Sequence, residues 1–271
     1  MGRIEPRVYG TPSRSCQEPL PATLCGQGRH ALRSGAELLP DSTPLDCLAS
    51  GRGASVNVHV LTWLSMITVA ALLAQKGGVG KSSLAVALAV ANDLGGSQSA
   101  LVDLDPQGTT SVWGRLRQGA PPEVFSAHPP RLRRVVEDAG NAGATLIVID
   151  TAPRERAGAV AAAEIADMVL IPCRPAAPDL AALPATLEVA EDAGTQAVVV
   201  VNQAPARGSW IADARDAVRE SGAEVCPVVI GQRVAHAKAF IRGKTAQELE
   251  PTSKAAAEVG ELYDWIIRRA T

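Results

Sequence analysis

The strongest chemical signal in the 271-residue chain is Gln75-Lys76-Gly77-Gly78-Val79-Gly80-Lys81-Ser82-Ser83. Glycines in such a run let the backbone wrap a phosphate with its N–H groups pointing inward. A helix starting near Lys81 adds the positive end of its dipole. Lys81 then reaches the β- and γ-phosphates of a nucleotide, and the Ser82 hydroxyl ligates Mg²⁺. The usual pattern is G-x-x-x-x-G-K-S/T. Here Gln75 stands where its first Gly belongs, so the strict form is not met. Lys81 does the ordinary work of the loop, and Lys76 is a second cation with no evident counter-charge. Such a cation is worth most where negative charge develops, which is the chemistry of an arginine finger supplied across a dimer interface.

Three further segments end in polar groups. Ala100-Leu101-Val102-Asp103-Leu104-Asp105-Pro106-Gln107-Gly108 carries carboxylates at i and i+2, which on a strand point the same way, and Pro106 stops the strand. Carboxylates beside a phosphate loop hold Mg²⁺ or orient the attacking water. Leu146-Ile147-Val148-Ile149-Asp150 is an apolar strand ending in a carboxylate placed to hold Mg²⁺, commonly through a water. Val198-Val199-Val200-Val201 ends in Asn202, whose donor and acceptor match the edge of adenine. An ordinary Asn turn after a strand is the competing interpretation.

These residues need a scaffold that brings strand ends together. Apolar runs of strand length fall at 67–74, 99–104, 145–150, 168–172, 196–202 and 225–230. Helical patterns lie between and after them, near 81–94, 129–138, 156–165, 178–193, 208–222 and 253–269. Ser253 suits a helix start, and Arg268-Arg269 suit a helix end. The alternation predicts an α/β fold of the P-loop NTPase type, with a mostly parallel sheet and helices on both faces. Ligands of such sheets bind at the carboxyl ends of the strands, where every motif above falls.

Composition bounds the rest. Lys+Arg number 26 against 28 Asp+Glu, and aromatic residues make up only 3%. A strongly basic nucleic-acid binder and a base-stacking platform are both excluded. The first 65 residues differ from the remainder: six of the 19 Pro, seven Gly, no Lys and three of the five Cys (Cys16, Cys25, Cys47) lie there. No helical or strand periodicity is sustained before about residue 56. The expected organisation is an N-terminal extension, 1–65, that is disordered or lies upstream of the true start at Met66, followed by a nucleotide-binding domain over 66–271. The apolar stretch Val56–Ala74 approaches the length of a membrane span, but its second half runs straight into the phosphate loop and reads as a central strand. The cysteine spacings match no common zinc site or disulfide framework, which points to a reducing cytoplasm.

Taken together, the lysine-initiated loop Lys76-Gly77-Gly78-Val79-Gly80-Lys81-Ser82, the Val102-Asp103-Leu104-Asp105-Pro106-Gln107-Gly108 segment and the Ile149-Asp150-Thr151-Ala152-Pro153 segment resemble the ParA/MinD family of deviant Walker ATPases, and short ParA proteins in particular. Ile171-Pro172-Cys173-Arg174-Pro175, with Asp179-Leu180 after it, is similar to a further family segment, although Ala176 replaces its usual Ser. The resemblance covers about 66–271. It implies a homodimer formed on ATP, with ATP and Mg²⁺ as cofactors and Lys76 reaching into the partner's site. It also implies that Asp105 positions the attacking water, that Asp103 lies near the metal shell and that Asn202 contacts the base. For short ParA proteins it further implies non-specific DNA binding, a ParB-like centromere-binding partner and segregation of plasmid or chromosomal DNA, in a cytoplasmic protein that joins the nucleoid when ATP-bound. The alternative within the family is a MinD-like positioning ATPase acting at the membrane or on another cellular cargo. In a net acidic domain DNA contacts must be local, and Arg131, Arg133, Arg134, Arg242, Lys244, Lys254, Arg268 and Arg269 are the candidates. Arg131, Arg133 and Arg134 equally fit a solvated helix face.

Overall fold

The computed structural model of the chain describes residues 67–270. The expectations for residues 1–65, and for a start at Met66, lie outside them. In chain order the elements are β1 (Thr68–Leu72), α1 (Lys81–Leu94), β2 (Ser99–Asp103), α2 (Thr109–Leu116) and β3 (Glu123–Ser126). A 3-10 turn at Pro129–Arg131 then leads into α3 (Leu132–Asn141), β4 (Leu146–Asp150), α4 (Arg156–Ala163) and β5 (Met168–Cys173). After these come α5 (Ala177–Leu180), α6 (Leu183–Asp192), β6 (Ala197–Val201), α7 (Trp210–Glu220) and β7 (Glu224–Val225). The chain closes with α8 (Val234–Phe240), α9 (Ala246–Leu249) and α10 (Lys254–Ala270).

The strands form one parallel sheet in the order β3-β2-β4-β1-β5-β6-β7. Every residue of β1, β2, β4 and β5 is buried, as strands covered on both faces must be. Alternate residues feed two cores. Val69, Ala71, Ile147 and Ile149 join a layer with α3, α4 and α6, whereas Ala70, Leu72, Leu146 and Val148 pack against α1, Trp113 and α10. The aliphatic composition serves both layers, with Trp113 as the largest fully buried side chain.

Register decides where chemistry can occur. Asp150 at the end of β4 is level with Leu72 at the end of β1 and with Asp103 at the end of β2. Three carboxyl ends therefore meet in one row, and the loop from β1 to α1 passes over it.

The sequence pattern differs from the structure in a few places. The edge strand β3 and the helices α2, α8 and α9 carry no clear periodicity of their own. The pattern at 178–193 is two helices, with Pro184 in the first turn of the second. The run 225–230 is a strand only at Glu224–Val225, because Pro227 has no N–H to donate to a ladder. The predicted start of the last helix is present: the Ser253 hydroxyl accepts the Ala256 N–H at 3.2 Å.

Helix α2 is fastened at its far end to the segment between α8 and α9. The Trp113 indole donates to the Lys244 carbonyl at 3.3 Å. Arg117 donates to the Gly243 carbonyl at 2.9 Å, pairs with Glu248 at 3.1 Å and lies 4.7 Å from the Trp113 ring centroid. Gly243 has φ 64°, and a Cβ there would stand 2.7 Å from the Leu116 carbonyl carbon. Only glycine lets the two backbones approach this closely.

Candidate active site

The phosphate loop leaves β1 at Leu72 and enters α1 at Lys81. Gly77, Gly78 and Ser83 are exposed, Lys76, Gly80 and Ser82 are half-buried, and Val79 and Lys81 are buried. Gly80 caps α1 at φ 89°, and the helix has neither a side-chain cap nor an acidic residue in its first turn. That helix end therefore keeps its positive partial charge for an anion. A Cβ at Gly80 would stand 2.6 Å from the Asn202 amide nitrogen, so the bend needs glycine on both steric and dihedral grounds.

Lys81 folds inward, with Nζ 3.5 Å from the Ala74 carbonyl. Burial lowers its pKa, while the charges of Asp150 and Asp105 act in the opposite sense. Lys76 makes no hydrogen bond or ion pair with any described residue. One lysine of the loop is thus drawn towards the acidic row and the other has no partner among the described residues.

Asp150 is fully buried, and burial pushes its carboxyl up to about 6 against the opposing pull of the Ser82 and Thr110 hydroxyls. The Thr110 hydroxyl donates to its Oδ2 at 2.7 Å. Its Oδ1 is buried with no hydrogen bond of ordinary geometry, the nearby Ser82 hydroxyl included. Leaving such an oxygen unsatisfied costs about 1–3 kcal/mol or more for a charged group. A hard cation, or a water bound to one, would satisfy it, so the residues present fit Mg²⁺ held between Ser82 and Asp150. The Thr151 hydroxyl, donating to the Leu72 carbonyl at 2.7 Å, fixes this strand end against β1.

The paired carboxylates of the 100–108 segment fall out differently from expectation. Strand β2 ends at Asp103, so Asp105 lies in the turn and not on the same strand face. Asp103 is buried and both of its oxygens are engaged locally. Oδ1 accepts the Asp105 N–H at 3.0 Å, and Oδ2 accepts the Ser111 N–H and hydroxyl, each at 2.7 Å. A carboxylate used in this way holds its own loop, level with Asp150 at the neighbouring strand end. Asp105 is half-exposed and accepts the Gln107 N–H at 2.9 Å through Oδ1, which leaves Oδ2 for other partners.

Asn202 is likewise engaged with the protein. Its amide donates to the Val79 carbonyl at 2.7 Å, and its Oδ1 accepts the Gln203 N–H at 2.9 Å. Gln203 adds a bond to the Gly78 carbonyl at 3.1 Å. The end of β6 thus clamps the phosphate loop. Asn202 also lines a cavity of about 530 Å³ bordered by Gly80, Ser83, Leu84, Ile230 and Val234, directly beside the loop. A larger hollow of about 850 Å³ lies against β3, and none of the predicted site residues lines it.

Thr110 and Gln203 were not among the residues that sequence reasoning singled out. Gln203 adjoins a strand-end Asn, and Thr110 stands just after Gly108 in a run of hydroxyl residues suited to a helix start. Those positions were the only available signals.

The model of the CobQ/CobB/MinD/ParA nucleotide-binding domain matches residues 70–246. The chain belongs to this family. A relative named maintenance of carboxysome distribution protein A, from Gloeobacter kilaueensis, is 35% identical over 211 residues, covering 73% of this chain and 95% of that protein. Among solved structures, the Pyrococcus horikoshii septum site-determining protein MinD with Mg-ADP matches with a TM-score of 0.61 at 18% identity, covering 76% of this chain and 98% of that one. Apo McdA from Cyanthece matches with a TM-score of 0.59 at 15% identity, covering 74% and 99%. The fold is thus that of the ParA/MinD P-loop ATPases, and the matched region includes residues 75–83.

The two buried cysteines play no visible part. Burial raises the Cys173 thiol to about 12 and the Cys226 thiol to about 11. Arg174 makes a two-pronged bond to the buried Asp179 at 2.9 and 3.1 Å, fixing the turn after β5. The candidate DNA contacts do not fall in one place. Arg131, Arg133 and Arg134 belong to the α3 layer, whereas Arg242, Lys244, Lys254, Arg268 and Arg269 follow α8 or lie on α10 beyond the opposite face of the sheet. Arg134 pairs with Asp138 at 3.6 Å, and Arg269 with Glu224 at 2.6 Å.

Proposed function

We propose that this chain is an ATP-driven positioning protein, which dimerises on ATP and hydrolyses it to distribute a large cargo within the cell. The observation that carries this reading is the asymmetry of the loop's two lysines. Lys81 is buried towards Asp150, while Lys76 has no partner among the described residues. A second subunit would give Lys76 a phosphate to meet, so that hydrolysis and dimerisation depend on each other. Within that scheme Lys81 holds the phosphates, Ser82 and Asp150 hold Mg²⁺, and Asp105 orients the attacking water. Bound Mg²⁺ would neutralise phosphate charge as the γ-phosphate leaves. Asp103, Asn202 and Gln203 keep the two loops in shape. Removal of the γ-phosphate then releases the dimer, and the nucleotide acts as a timer.

The name of the 35%-identical relative favours a carboxysome-like body over a plasmid as the first cargo to test. Non-specific DNA is the proposed track, through basic residues that dimerisation would collect, and a small cargo-bound protein in the place of a ParB-like partner would stimulate hydrolysis. The membrane alternative has less support. The apolar side of α10, with Val259, Leu262 and Ile266, is already packed into the core. No helix among the described residues is long and apolar enough to cross a membrane. Light scattering of the full chain, with and without ATP, combined with a DNA mobility shift, tests the reading. The expected result is an ATP-dependent dimer whose DNA binding falls steeply with salt. A protein that stays monomeric with ATP, or binds DNA equally without it, overturns the proposal.

A further inference from the structure

Asp150 and Thr110 are 40 residues apart in sequence, and both are fully buried. The Thr110 hydroxyl has one proton, and it is donated to Asp150 Oδ2 at 2.7 Å. Oδ1 of the same carboxylate accepts no hydrogen bond of ordinary geometry among the described residues, although the Ser82 hydroxyl is nearby. A free carboxylate presents two equivalent oxygens and can exchange them by rotation. Here one hydroxyl removes that equivalence. The neighbouring residue repeats the device: Ser111 donates twice to Asp103 Oδ2. The first turn of α2 therefore fixes the strand ends of both β2 and β4. Its opposite end is held by Trp113 and Arg117 against the Gly243–Glu248 segment, so the clip is backed by a fastened helix.

We propose that Thr110 is a positioning residue for the metal: its hydroxyl occupies Oδ2 and so presents Asp150 Oδ1 to the divalent cation. This rests on the assignment of Asp150 to the metal site and adds a residue that does not itself touch the cation. The role belongs to the hydroxyl, not to the bulk of the side chain. Thr110→Val keeps the shape and deletes the donor, while Thr110→Ser keeps the donor and deletes the methyl.

The test measures metal binding directly, by Mn²⁺ electron paramagnetic resonance titration of the full chain loaded with ADP, with ADP affinity in EDTA measured alongside. Thr110→Val should weaken Mn²⁺ binding about tenfold while leaving metal-free ADP affinity unchanged, and Thr110→Ser should return Mn²⁺ binding to within about twofold of the parent. If Thr110→Val does not yield folded protein, Thr110→Ala is compared with Thr110→Ser in the same titration, and the same ordering is expected. Parental Mn²⁺ binding in the hydroxyl-free variant overturns the proposal. So does an equal loss in Thr110→Ser, which would make the methyl group responsible. Asp150→Asn separates the two layers of the argument. If it too binds Mn²⁺ like the parent, the metal assignment has failed. If it loses the metal while Thr110→Val keeps it, only the positioning role has failed.

Discussion

Replacing Asp150 by Asn should make the metal-free protein more stable, by an amount that depends on pH. Burial raises this carboxyl from 3.8 to about 6. At about 1.4 kcal/mol per pKa unit, the ionised side chain costs the folded state about 3 kcal/mol at pH 7. That figure already includes the attraction of Lys81, which acts against the shift. Between 3.8 and about 6 the folded chain binds the proton and the unfolded chain does not, so stability from this group falls as pH rises through that window. At pH 5 the cost is only about half its value at pH 7. Asparagine keeps the size, still accepts from Thr110 and carries no charge. In EDTA at pH 7 the variant should therefore melt roughly 6–12 °C above the parent, at about 2–4 °C per kcal/mol for a domain of this size, with about half that gain at pH 5. Adding Mg·ADP should stabilise the parent more than the variant and close or reverse the gap. Differential scanning calorimetry of both proteins at the two pH values measures all of this. A variant that melts at or below the parent at pH 7 in EDTA, or a gain that is the same at both pH values, would show that the buried carboxylate does not carry this desolvation cost.

Other positions make separate demands. Lys76→Ala should bind ATP with near-parental affinity but lose at least tenfold in hydrolysis at concentrations where the parent dimerises; normal turnover, followed by phosphate release, would end the idea of a lysine acting across the interface. Asp105→Ala should accumulate as an ATP-bound dimer in light scattering, because the water-orienting group is gone while the binding groups remain, and a variant that stays monomeric with ATP speaks against that role. Gly243→Ala should lower the melting temperature by several degrees, corresponding to about 1–3 kcal/mol, since its Cβ would meet the Leu116 backbone at a positive φ. An unchanged melting temperature there would mean that the fastening of α2 is loose.

The sequence made parts of this protein legible in proportion to how local the physics is. Strands β1, β2, β4, β5 and β6 could be read because each is covered on both faces and carries an aliphatic run through its middle. The phosphate loop could be read because backbone geometry and phosphate chemistry restrict nine consecutive residues. Strand β3, Glu123-Val124-Phe125-Ser126, was not legible, since an edge strand with exposed ends carries a weak pattern. Helix α2 was hidden by Val112 and Leu116, apolar residues that are 45% and 47% exposed and do not mark a buried face.

The side-chain roles at the site were the least legible part, for a related reason. Residue type shows that Asp103, Asp105, Asp150 and Asn202 can donate, accept or ligate, but not which of these capacities the fold has already used. Asp103 and Asn202 look free in the sequence and hold protein partners in the structure, in the Asp105–Ser111 turn and at the Val79 carbonyl. Asp150 is half spent, through a threonine 40 residues away that no local pattern connects to it. What separates a ligand from a scaffold residue is the hydrogen-bond capacity each atom has left. Of the oxygens of Asp103 and Asp150, Asp150 Oδ1 is the one that accepts no hydrogen bond of ordinary geometry among the described residues. It lies on a strand end level with Leu72, from which the phosphate loop departs. On the proposed assignment of Asp150 to the metal site, the buried oxygen that destabilises the metal-free fold would face a nucleotide-bound cation, so loading the site would stabilise the fold and stability would report on occupancy.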